Sequence, residues 1–285
     1  MPEDLKDRVA LITGGGRGIG KTIAEGLAAA GAKVAITGRS APHLQETVEV
    51  IEKAGGRAIA LPGDVTDEPA VQRWVVETER QLGPIDILVS NAAIEGPLGP
   101  MWEVSTDDWR RCLEVNVMGP FIVNHAVLPG MVARRNGRII NVGSGGGLFA
   151  VPYDTGYSTT KAALTRLTEG IAIEAEPFGV YTWVIHPGVV HTNMSNTVMD
   201  SEAGQKWLPG YPEALKRGAT PIEWASELTN FLASGAADGL TGCFLSVNDD
   251  YRDLAARAAE IKATDMYMLR LRTTPGPGPA RRAFQ

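Results

Sequence analysis

A tyrosine and a lysine stand four positions apart in this chain, at Tyr157 and Lys161. Residues at i and i+4 share one face of a helix, so the ammonium is expected near the phenol. A nearby positive charge would lower the pKa of the tyrosine below its ordinary value of ~10. The pair therefore predicts a general acid or base for a substrate oxygen, although the spacing alone is a weak signal.

A serine adds to this pattern. Ser144 precedes Tyr157 by thirteen positions and follows a predicted strand, within a glycine-rich stretch. A hydroxyl at the carboxyl end of a strand can hydrogen-bond the reacting oxygen beside the tyrosine. All three residues at these offsets occur together far more rarely by chance than the tyrosine and lysine alone. The combination predicts a proton-transfer site.

Residues 13–20 form a loop with glycine at positions 14, 15, 16, 18 and 20. Glycine lets the backbone turn sharply and approach a pyrophosphate, which the N–H groups and dipole of a following helix can hold. The loop lies between the first predicted strand and the first predicted helix, where dinucleotides bind. Its spacing is Gly-x3-Gly-x-Gly, which differs from the usual Gly-x-Gly-x-x-Gly.

The end of the second predicted strand bears on which dinucleotide is bound. An NAD site needs a carboxylate there for the ribose hydroxyls, whereas a 2'-phosphate needs an arginine. The sequence has Gly38 and Arg39 and no acid at this point, and Arg17 could join Arg39 on a phosphate. NADP(H) is the predicted cofactor. The alternative is that Arg39 is a solvated charge and NAD(H) binds.

The elements that must position these residues alternate along the chain. Short β-branched runs typical of doubly buried strands occur at residues 8–13, 33–37, 57–61, 85–90, 138–142, 180–185 and 243–247. Amphipathic helical patterns occur at residues 21–30, 42–54, 68–82, 107–135, 155–176 and 222–233. The alternation predicts an α/β fold, a single Rossmann-type doubly wound parallel sheet of about seven strands with helices on both faces.

Two segments depart from the alternation. Residues 189–218 lack a strand pattern and predict a lid or binding loop. After a catalytic domain at 1–248, residues 249–285 form a C-terminal extension, with a helix at 251–265, a short strand at 267–272 and a disordered-looking end at 275–279. We expect the extension to cover the lid or a neighbouring subunit.

Composition narrows the class of protein. Hydrophobic residues make up 44% and charged residues 21%, which excludes a disordered polymer. The net charge of -6 argues against a nucleic-acid surface. Two cysteines without metal-ligand spacing give neither a disulfide framework nor a metal site. No leader or long apolar run is evident, so no membrane contact and a cytoplasmic location are expected.

From about residue 5 to residue 247 the chain resembles the short-chain dehydrogenase/reductase family, and specifically its NADP-preferring members with a Tyr-x3-Lys active site. The resemblance implies four catalytic residues, namely Asn116, Ser144, Tyr157 and Lys161. It implies that the nicotinamide cofactor contacts Tyr157 and Lys161 and further residues along the chain. These are Gly14, Arg17, Gly18, Ile19, Gly20, Arg39, Asp64, Val65, Asn91, Ala92, Ala93, Pro187, Gly188, Val190 and Thr192.

The function expected from this resemblance is reversible hydride transfer between nicotinamide and a ketone or secondary alcohol. Tyr157 would exchange the proton of the oxygen, Ser144 would stabilise that oxygen, and Lys161 would hold the ribose and tune Tyr157. Asn116 would keep a water that supplies protons to Lys161. Apolar residues of the 189–218 segment favour a moderately hydrophobic substrate. Glu95 either bonds a polar substituent or is a solvated charge.

Two other functions stay open. Members of the family that reduce 3-oxoacyl groups on acyl carrier protein dock the acidic carrier on basic residues; Arg134 and Arg135 are present, but residues 177–179 offer no further base. A catalytically silent NADP-sensing protein is the other alternative. The family also implies a homo-oligomer, a tetramer or dimer, formed through residues 107–135 and 155–176. His186 and His191, beside the expected nicotinamide site, are expected to have scaffold roles.

Overall fold

Seven parallel strands form one sheet in the computed structural model, which describes residues 3–264 and 266–270. Their order across the sheet is β3-β2-β1-β4-β5-β6-β7. The strands are β1 Val9–Thr13, β2 Lys33–Gly38, β3 Arg57–Pro62, β4 Ile87–Ser90, β5 Gly137–Val142, β6 Val180–His186 and β7 Phe244–Ser246. The predicted fold is confirmed, and each predicted strand is present to within two residues at either end.

Helices cover both faces of the sheet. They are α1 Gly18–Ala29, α2 Ala41–Lys53, α3 Glu68–Gln81, α4 Thr106–Leu113, α5 Gly119–Arg134, α6 Thr155–Ala175, α7 Asn193–Asp200, α8 Glu202–Trp207, α9 Tyr211–Arg217, α10 Glu223–Ser234, α11 Tyr251–Ala256 and α12 Ala258–Lys262. Side-chain caps begin several of them. Asp67, for example, accepts a hydrogen bond from Ala70 N at 3.2 Å at the start of α3.

Alternate residues of each strand enter different cores. In β1, Ala10 and Ile12 belong to the core that faces α1, α2 and α10, whereas Val9 and Leu11 belong to the core that faces α3, α5 and α6. All four side chains are buried. Burial on both faces explains why the strands appear in the sequence as continuous apolar runs rather than as alternating ones.

The chain reverses its direction of winding beside β1. This strand pairs with β2 on one side, where Ala10 aligns with Val34, and with β4 on the other, where Ala10 aligns with Ile87. Connections that leave β1 and β4 therefore depart to opposite faces and open a crevice at the carboxyl ends of the two strands. This crevice is where a parallel sheet of this order binds ligands.

One predicted helix is interrupted. The pattern at residues 107–135 predicts a single helix, but α4 and α5 are joined by a π-helical turn at Glu114–Met118. Pro120, at the start of α5, has no backbone N–H, so it cannot donate the α-helical hydrogen bond to the carbonyl four residues earlier. The π-helical turn lies where that hydrogen bond is missing. Asn116 lies in the middle of this turn.

By length and hydropathy alone, residues 106–134 are apolar enough to cross a membrane, and they are the one such stretch among the described residues. Val123, Val127 and Met131 within it are buried against the sheet. Its apolar character is that of a core helix.

Residues 189–218 are helical, contrary to the loop expected from their mixed composition. They form α7, α8 and α9, each of eight residues or fewer. Such short helices give too little periodicity to stand out in sequence, and two of the three begin with a side-chain cap. Thr192 and Ser195 form a reciprocal capping box at the start of α7.

The described part of the C-terminal extension packs on the body of its own chain. Leu254 of α11 and Ile261 of α12 belong to the core that faces α1 and α10, and Lys262 pairs with Glu176 after α6. The single helix predicted at 251–265 is instead two, α11 and α12. Residues 266–270 contain no strand, and Phe244 N donates to Tyr267 O at 2.7 Å. Residues 271–272 and 275–279 lie outside the described residues.

Truncation of one side chain tests whether the extension is part of the folded body. Ile261 is 2% exposed, so Ile261→Ala should lower the free energy of unfolding by about 2–5 kcal/mol through lost burial and a residual cavity. Chemical denaturation measures this. The control is Val76→Ala in α3, where a side chain 61% exposed should change stability by no more than about 0.5 kcal/mol. Equal effects of the two substitutions would show that the extension does not pack here.

Candidate active site

Hydrogen bonds tie the ends of β1 and β4 together at the crevice. Thr13 Oγ1 accepts from Asn91 N at 3.0 Å and from Ala92 N at 3.1 Å, and Asn91 Nδ2 donates to Thr13 O at 3.0 Å. Asn91 Nδ2 also lies 3.3 Å from Gly14 O. The amide of Asn91 thus holds the glycine loop in place from the neighbouring strand.

Gly20 must be glycine for this arrangement to exist. A Cβ atom at this position would overlap the carbonyl oxygen of Gly14 and the side-chain nitrogen of Asn91. Gly14 itself has a φ of 68°, a conformation that favours glycine. The loop backbone is therefore exposed to the crevice without side chains in the way.

The residues at the start of α1 fit a pyrophosphate. Arg17 occupies the N-cap position, but its side chain makes no capping hydrogen bond. The first N–H groups of a helix have no partner within the helix, and here no side chain from the cap supplies one. With the dipole of a twelve-residue helix behind them, these groups suit an anion.

A cavity of about 1190 Å³ runs along the crevice, large enough for a dinucleotide together with a small substrate. Most residues predicted to bind the cofactor line it. They are Gly14, Arg17, Gly18, Ile19, Gly20, Arg39, Asp64, Val65, Asn91, Ala92, Ala93, Tyr157, Lys161, Pro187 and Thr192. The lining does not include Gly188 and Val190, which were also predicted to bind the cofactor, or the predicted catalytic residues Asn116 and Ser144.

The structure adds lining residues that sequence reasoning missed. Asn193 and Asn196 come from α7, His43 comes from α2, and Arg111 comes from α4. None belongs to a motif with fixed spacing, since each reaches the cavity only because its helix packs there. The segment 189–218 thereby forms one wall of the cavity.

Two arginines project into this region without charged partners. Arg17 and Arg39 are both exposed, and within the described residues neither forms an ion pair. Gly38 also lines the cavity. An unpaired guanidinium at the end of β2 is the group that a 2'-phosphate requires.

Asp64, expected to contact the cofactor, has partners within the protein. Its carboxylate accepts from Thr66 N at 3.0 Å and from Arg111 Nη2 at 2.8 Å. Partial burial opposes ionisation, but the hydrogen bonds from Thr66 and the charge of Arg111 outweigh it and lower the pKa of Asp64. The carboxylate is thus held in one orientation at the cavity wall.

Tyr157 and Lys161 share one face of α6, as predicted. Lys161 Nζ lies 5.4 Å from the centre of the Tyr157 ring and donates to Val142 O at 2.8 Å. Lys161 is 3% exposed, and burial lowers its pKa to about 8. An ammonium in this position is available to a ligand in the cavity and anchored to the end of β5.

The surroundings of Tyr157 oppose the expected lowering of its pKa. Burial and the nearby Glu95 carboxyl raise the pKa of Tyr157, and a hydrogen bond from Ser144 only partly offsets them. The prediction from the sequence considered only the effect of Lys161 on the pKa of Tyr157. It could not show that the loop after β4 brings an acidic group to the same phenol.

Asn116 is buried and its side chain is engaged by the protein. Its Oδ1 accepts from Ile94 N at 2.8 Å, and its Nδ2 donates to Ile94 O at 2.8 Å and lies 3.2 Å from Thr160 Oγ1. The amide thus fastens the loop after β4 to the start of α6. Its side chain positions other residues of the site, which the pattern of a mid-helix asparagine did not reveal.

The loop that carries Ser144 is held by a histidine. Gly145 N donates to His186 Nδ1 at 3.3 Å, and the His186 ring stacks on Phe244 with centroids 6.4 Å apart. Burial lowers the pKa of His186, which favours the neutral ring that can accept this bond. His186 thus has the expected scaffold role, whereas His191 is exposed.

Within residues 3–264 and 266–270, no group of three or more His, Cys, Asp or Glu side chains is placed to hold a metal ion.

Comparison with known proteins found relatives that match most of this chain. Residues 8–203 match the family model for short chain dehydrogenase. A short chain dehydrogenase of Pseudocercospora fijiensis is 38% identical over 67% of this chain and 62% of its own length. Gluconate 5-dehydrogenase of Gluconobacter oxydans is 36% identical over 84% of this chain and 92% of its own. A 3-oxoacyl-[acyl-carrier-protein] reductase of Aquifex aeolicus is 36% identical over 87% and 98%.

Among solved structures, a variant of actinorhodin polyketide ketoreductase with NADPH has a TM-score of 0.79 and 29% sequence identity. The alignment covers 84% of this chain and 95% of the ketoreductase.

The glycine loop can be tested by adding one methyl group. Gly20→Ala should weaken NADPH binding by about tenfold or more, a change that requires only ~1.4 kcal/mol of lost interaction, because the loop must move to admit the Cβ. Fluorescence titration measures this. The matched control is Gly170→Ala in α6, where an added Cβ meets nothing within 4 Å and helix propensity should be slightly improved. Unchanged NADPH affinity in the Gly20 variant would show that the loop does not bind the cofactor.

Proposed function

The chain belongs to the short-chain dehydrogenase/reductase family, and we propose that it is an NADP-preferring oxidoreductase that interconverts a secondary alcohol and a ketone, with Tyr157 as general acid and base. One observation carries this proposal. Tyr157 and Lys161 line the same cavity as the glycine loop, so proton transfer and nicotinamide chemistry can occur side by side.

When bound, the nicotinamide dinucleotide supplies the acceptor or donor of the hydride that the substrate carbon loses or gains. The loop at residues 13–20 and the first turn of α1 would hold its pyrophosphate. Arg39 and Arg17 would hold a 2'-phosphate, and Lys161 a ribose. Asn91, Ala92, Pro187 and Thr192 would line the remaining surface.

Tyr157 moves the proton of the substrate oxygen. In the oxidative direction the alcohol O–H gives its proton to Tyr157 while the carbon loses a hydride, and in the reductive direction Tyr157 returns the proton. Ser144 hydrogen-bonds the same oxygen and the Tyr157 hydroxyl. Lys161 places a positive charge beside the phenol, which favours its ionised form against the burial that opposes it.

Asn116 contributes in two ways within this proposal. Its side chain fixes Ile94 and therefore the loop that carries Glu95. As expected from the family, it would also keep a water that returns protons to Lys161. The π-helical turn gives this residue a backbone position that a regular helix would not provide.

Removal of one oxygen tests the proton-transfer step. Tyr157→Phe should lower turnover by about 10²- to 10⁴-fold with NADPH affinity largely retained, because only the proton donor is lost. NADPH absorbance with a panel of ketones and alcohols measures turnover. The control Tyr181→Phe removes a hydroxyl from β6, away from the cavity, and should leave turnover near that of the parent. Normal turnover in the Tyr157 variant would show that Tyr157 is not the general acid and base.

Cofactor preference is supported by charge at the end of β2. Arg39 and Arg17 are unpaired within the described residues and line the cavity, and the pattern at residues 36–40 contains no carboxylate for an NAD ribose. A structural relative was solved with NADPH. These observations favour NADP(H), with NAD(H) as the weaker alternative.

Arg39→Ala should raise the Kd for NADPH by about tenfold or more, because a charge-assisted bond to phosphate is lost. The Kd for NADH, which lacks this phosphate, should change little. Parallel titrations with the two cofactors measure the difference, and Arg73→Ala on the exposed face of α3 serves as the matched control. An equal loss for both cofactors would show that Arg39 does not recognise a 2'-phosphate.

The domain and assembly assignments are part of the same proposal. Residues 1–248 are the catalytic domain, residues 189–218 its lid, and residues 249–285 the extension. Exposed apolar side chains on α5 and α6, such as Phe121 at 44% and Ile173 at 76% exposure, favour a homo-oligomer. Two free, buried cysteines, Cys112 and Cys243, suit a cytoplasmic location.

Reduction of 3-oxoacyl groups on acyl carrier protein is a second candidate because of the similarity to a reductase of that kind. The basic residues proposed for docking are engaged elsewhere. Arg134 Nη2 donates to Ile85 O and Arg135 Nη2 to Pro177 O, each at 2.7 Å. A small-molecule substrate is therefore the stronger proposal. A silent NADP-sensing protein would bind NADPH without turnover, which the substrate panel distinguishes.

A further inference from the structure

A carboxylate stands beside the arginine that is proposed to hold the 2'-phosphate. β2 and β3 run side by side to the edge of the sheet, where Gly38 aligns with Pro62 and Gly63 N donates to Gly38 O at 2.9 Å. Arg39 directly follows Gly38, and Asp64 directly follows Gly63. Both side chains line the cavity. A negative charge at this place opposes the binding of a phosphate.

Asp64 is the acidic residue that bears on this end of the cavity. The other acids on the described wall are Glu95, in the loop after β4, and Asp200, at the end of α7. Partial burial opposes ionisation of Asp64, but hydrogen bonds from Thr66 and Arg111 and the charge of Arg111 lower its pKa. The carboxylate is therefore charged at neutral pH. A site that prefers a 2'-phosphate must compensate this charge.

The compensating charge comes from α4 and not from Arg39. Arg111 Nη2 donates to Asp64 Oδ2 at 2.8 Å. Thr66 donates to Asp64 Oδ1 from its backbone N at 3.0 Å and from its Oγ1 at 2.8 Å. Each carboxylate oxygen thus has a donor within the protein. Arg39 is exposed and forms no ion pair among residues 3–264 and 266–270.

Arg111 reaches Asp64 across the mouth of the crevice. It belongs to α4, which follows β4, whereas Asp64 follows β3, and 47 positions separate the two residues. Arg111 itself lines the cavity, and Arg111 Nη1 lies 3.4 Å from Thr66 Oγ1. The guanidinium therefore contacts the acidic side chain and the threonine that orients it.

We propose that Arg111 is a specificity-determining residue for the cofactor, which compensates the charge of Asp64 so that Arg39 stays available to a 2'-phosphate. Asp64 and Arg111 together are neutral, so the charge left at this end of the cavity is that of Arg39 and Arg17. Without Arg111, the carboxylate would attract Arg39 and repel the phosphate. NADH has a hydroxyl in place of this phosphate, so its affinity depends much less on the balance of charge.

This inference rests on the proposed preference for NADP(H), and it is tested by cofactor binding to the whole protein. The ratio of the Kd for NADH to the Kd for NADPH isolates the effect of the phosphate, since all other contacts are shared. Arg111→Gln should lower this ratio by about threefold to tenfold, as expected for one partly exposed charge. Arg111→Lys, which keeps the charge, should lower it less. Fluorescence titration measures both constants.

The matched control is the neighbouring arginine of the same helix. Arg110 is exposed and pairs with Asp107 on the outer surface of α4, and it does not line the cavity. Arg110→Gln removes the same charge from an adjacent position and should keep the wild-type ratio. Circular dichroism establishes that each variant is folded. An unchanged ratio in Arg111→Gln, or equal weakening of both cofactors, would overturn the inference.

A second substitution shows whether Arg111 acts through Asp64. Adding Asp64→Asn to Arg111→Gln removes the uncompensated carboxylate, so the ratio should return to near the wild-type value. Contacts of Asp64 that both cofactors share cancel in the ratio. If Arg111 instead bound the phosphate directly, the ratio would stay low in the double variant. That result would contradict the role proposed for Arg111.

Cofactor fragments place the effect within the cavity. Calorimetry with 2',5'-ADP and 5'-AMP, which differ by the same phosphate and lack the nicotinamide, should show the same fall in the ratio of Kd values for Arg111→Gln. A fall seen with the complete cofactors but not with the fragments would overturn the inference.

The outcomes for the proposed function are separate. A wild-type protein that binds NADH more tightly than NADPH would count against the proposed cofactor preference, and absence of turnover would count against the proposed reaction. The shift in the Kd ratio caused by Arg111→Gln tests the inference in either case, because the shift is measured from whatever ratio the wild-type protein has.

Discussion

The site depends on the divergence of the chain between β1 and β4. Because β1 pairs with β2 on one side and β4 on the other, the connections leave to opposite faces and a crevice must open between them. The hydrogen bonds between Thr13 and Asn91 keep the two strand ends in register. Without this join the glycine loop would have no fixed wall opposite it, and neither the cavity nor the approach to Tyr157 would be defined.

A second constraint follows from the parallel sheet. Its strands all end at one edge, so residues remote in sequence meet there: Glu95 after β4, Ser144 after β5 and Pro187 after β6. Asn116 connects two of these segments, since its amide bonds Ile94 and Thr160. These hydrogen bonds within the protein hold the segments in place before any ligand binds.

Burial and a few nearby charges together set the pKa values of the titratable groups in the site. Lys161 and Tyr157 are both shifted by burial toward their neutral forms, and the carboxyls of Glu95 and Asp154 are shifted in the same direction. A buried cluster that is so reluctant to ionise responds strongly to any added charge.

The sequence by itself determined the succession of strands and helices along the chain, the glycine loop and the spacing of Ser144, Tyr157 and Lys161. These follow from local rules, namely apolar runs, helix periodicity and the freedom of glycine to form tight turns. Only the tertiary structure decided that residues 189–218 are helical, that the helix at residues 107–135 contains a π turn, and that Leu254 and Ile261 join the core. It alone brought Glu95 to Asp154 and to Tyr157, because a pKa depends on neighbours and burial in space, which spacing along the chain does not encode.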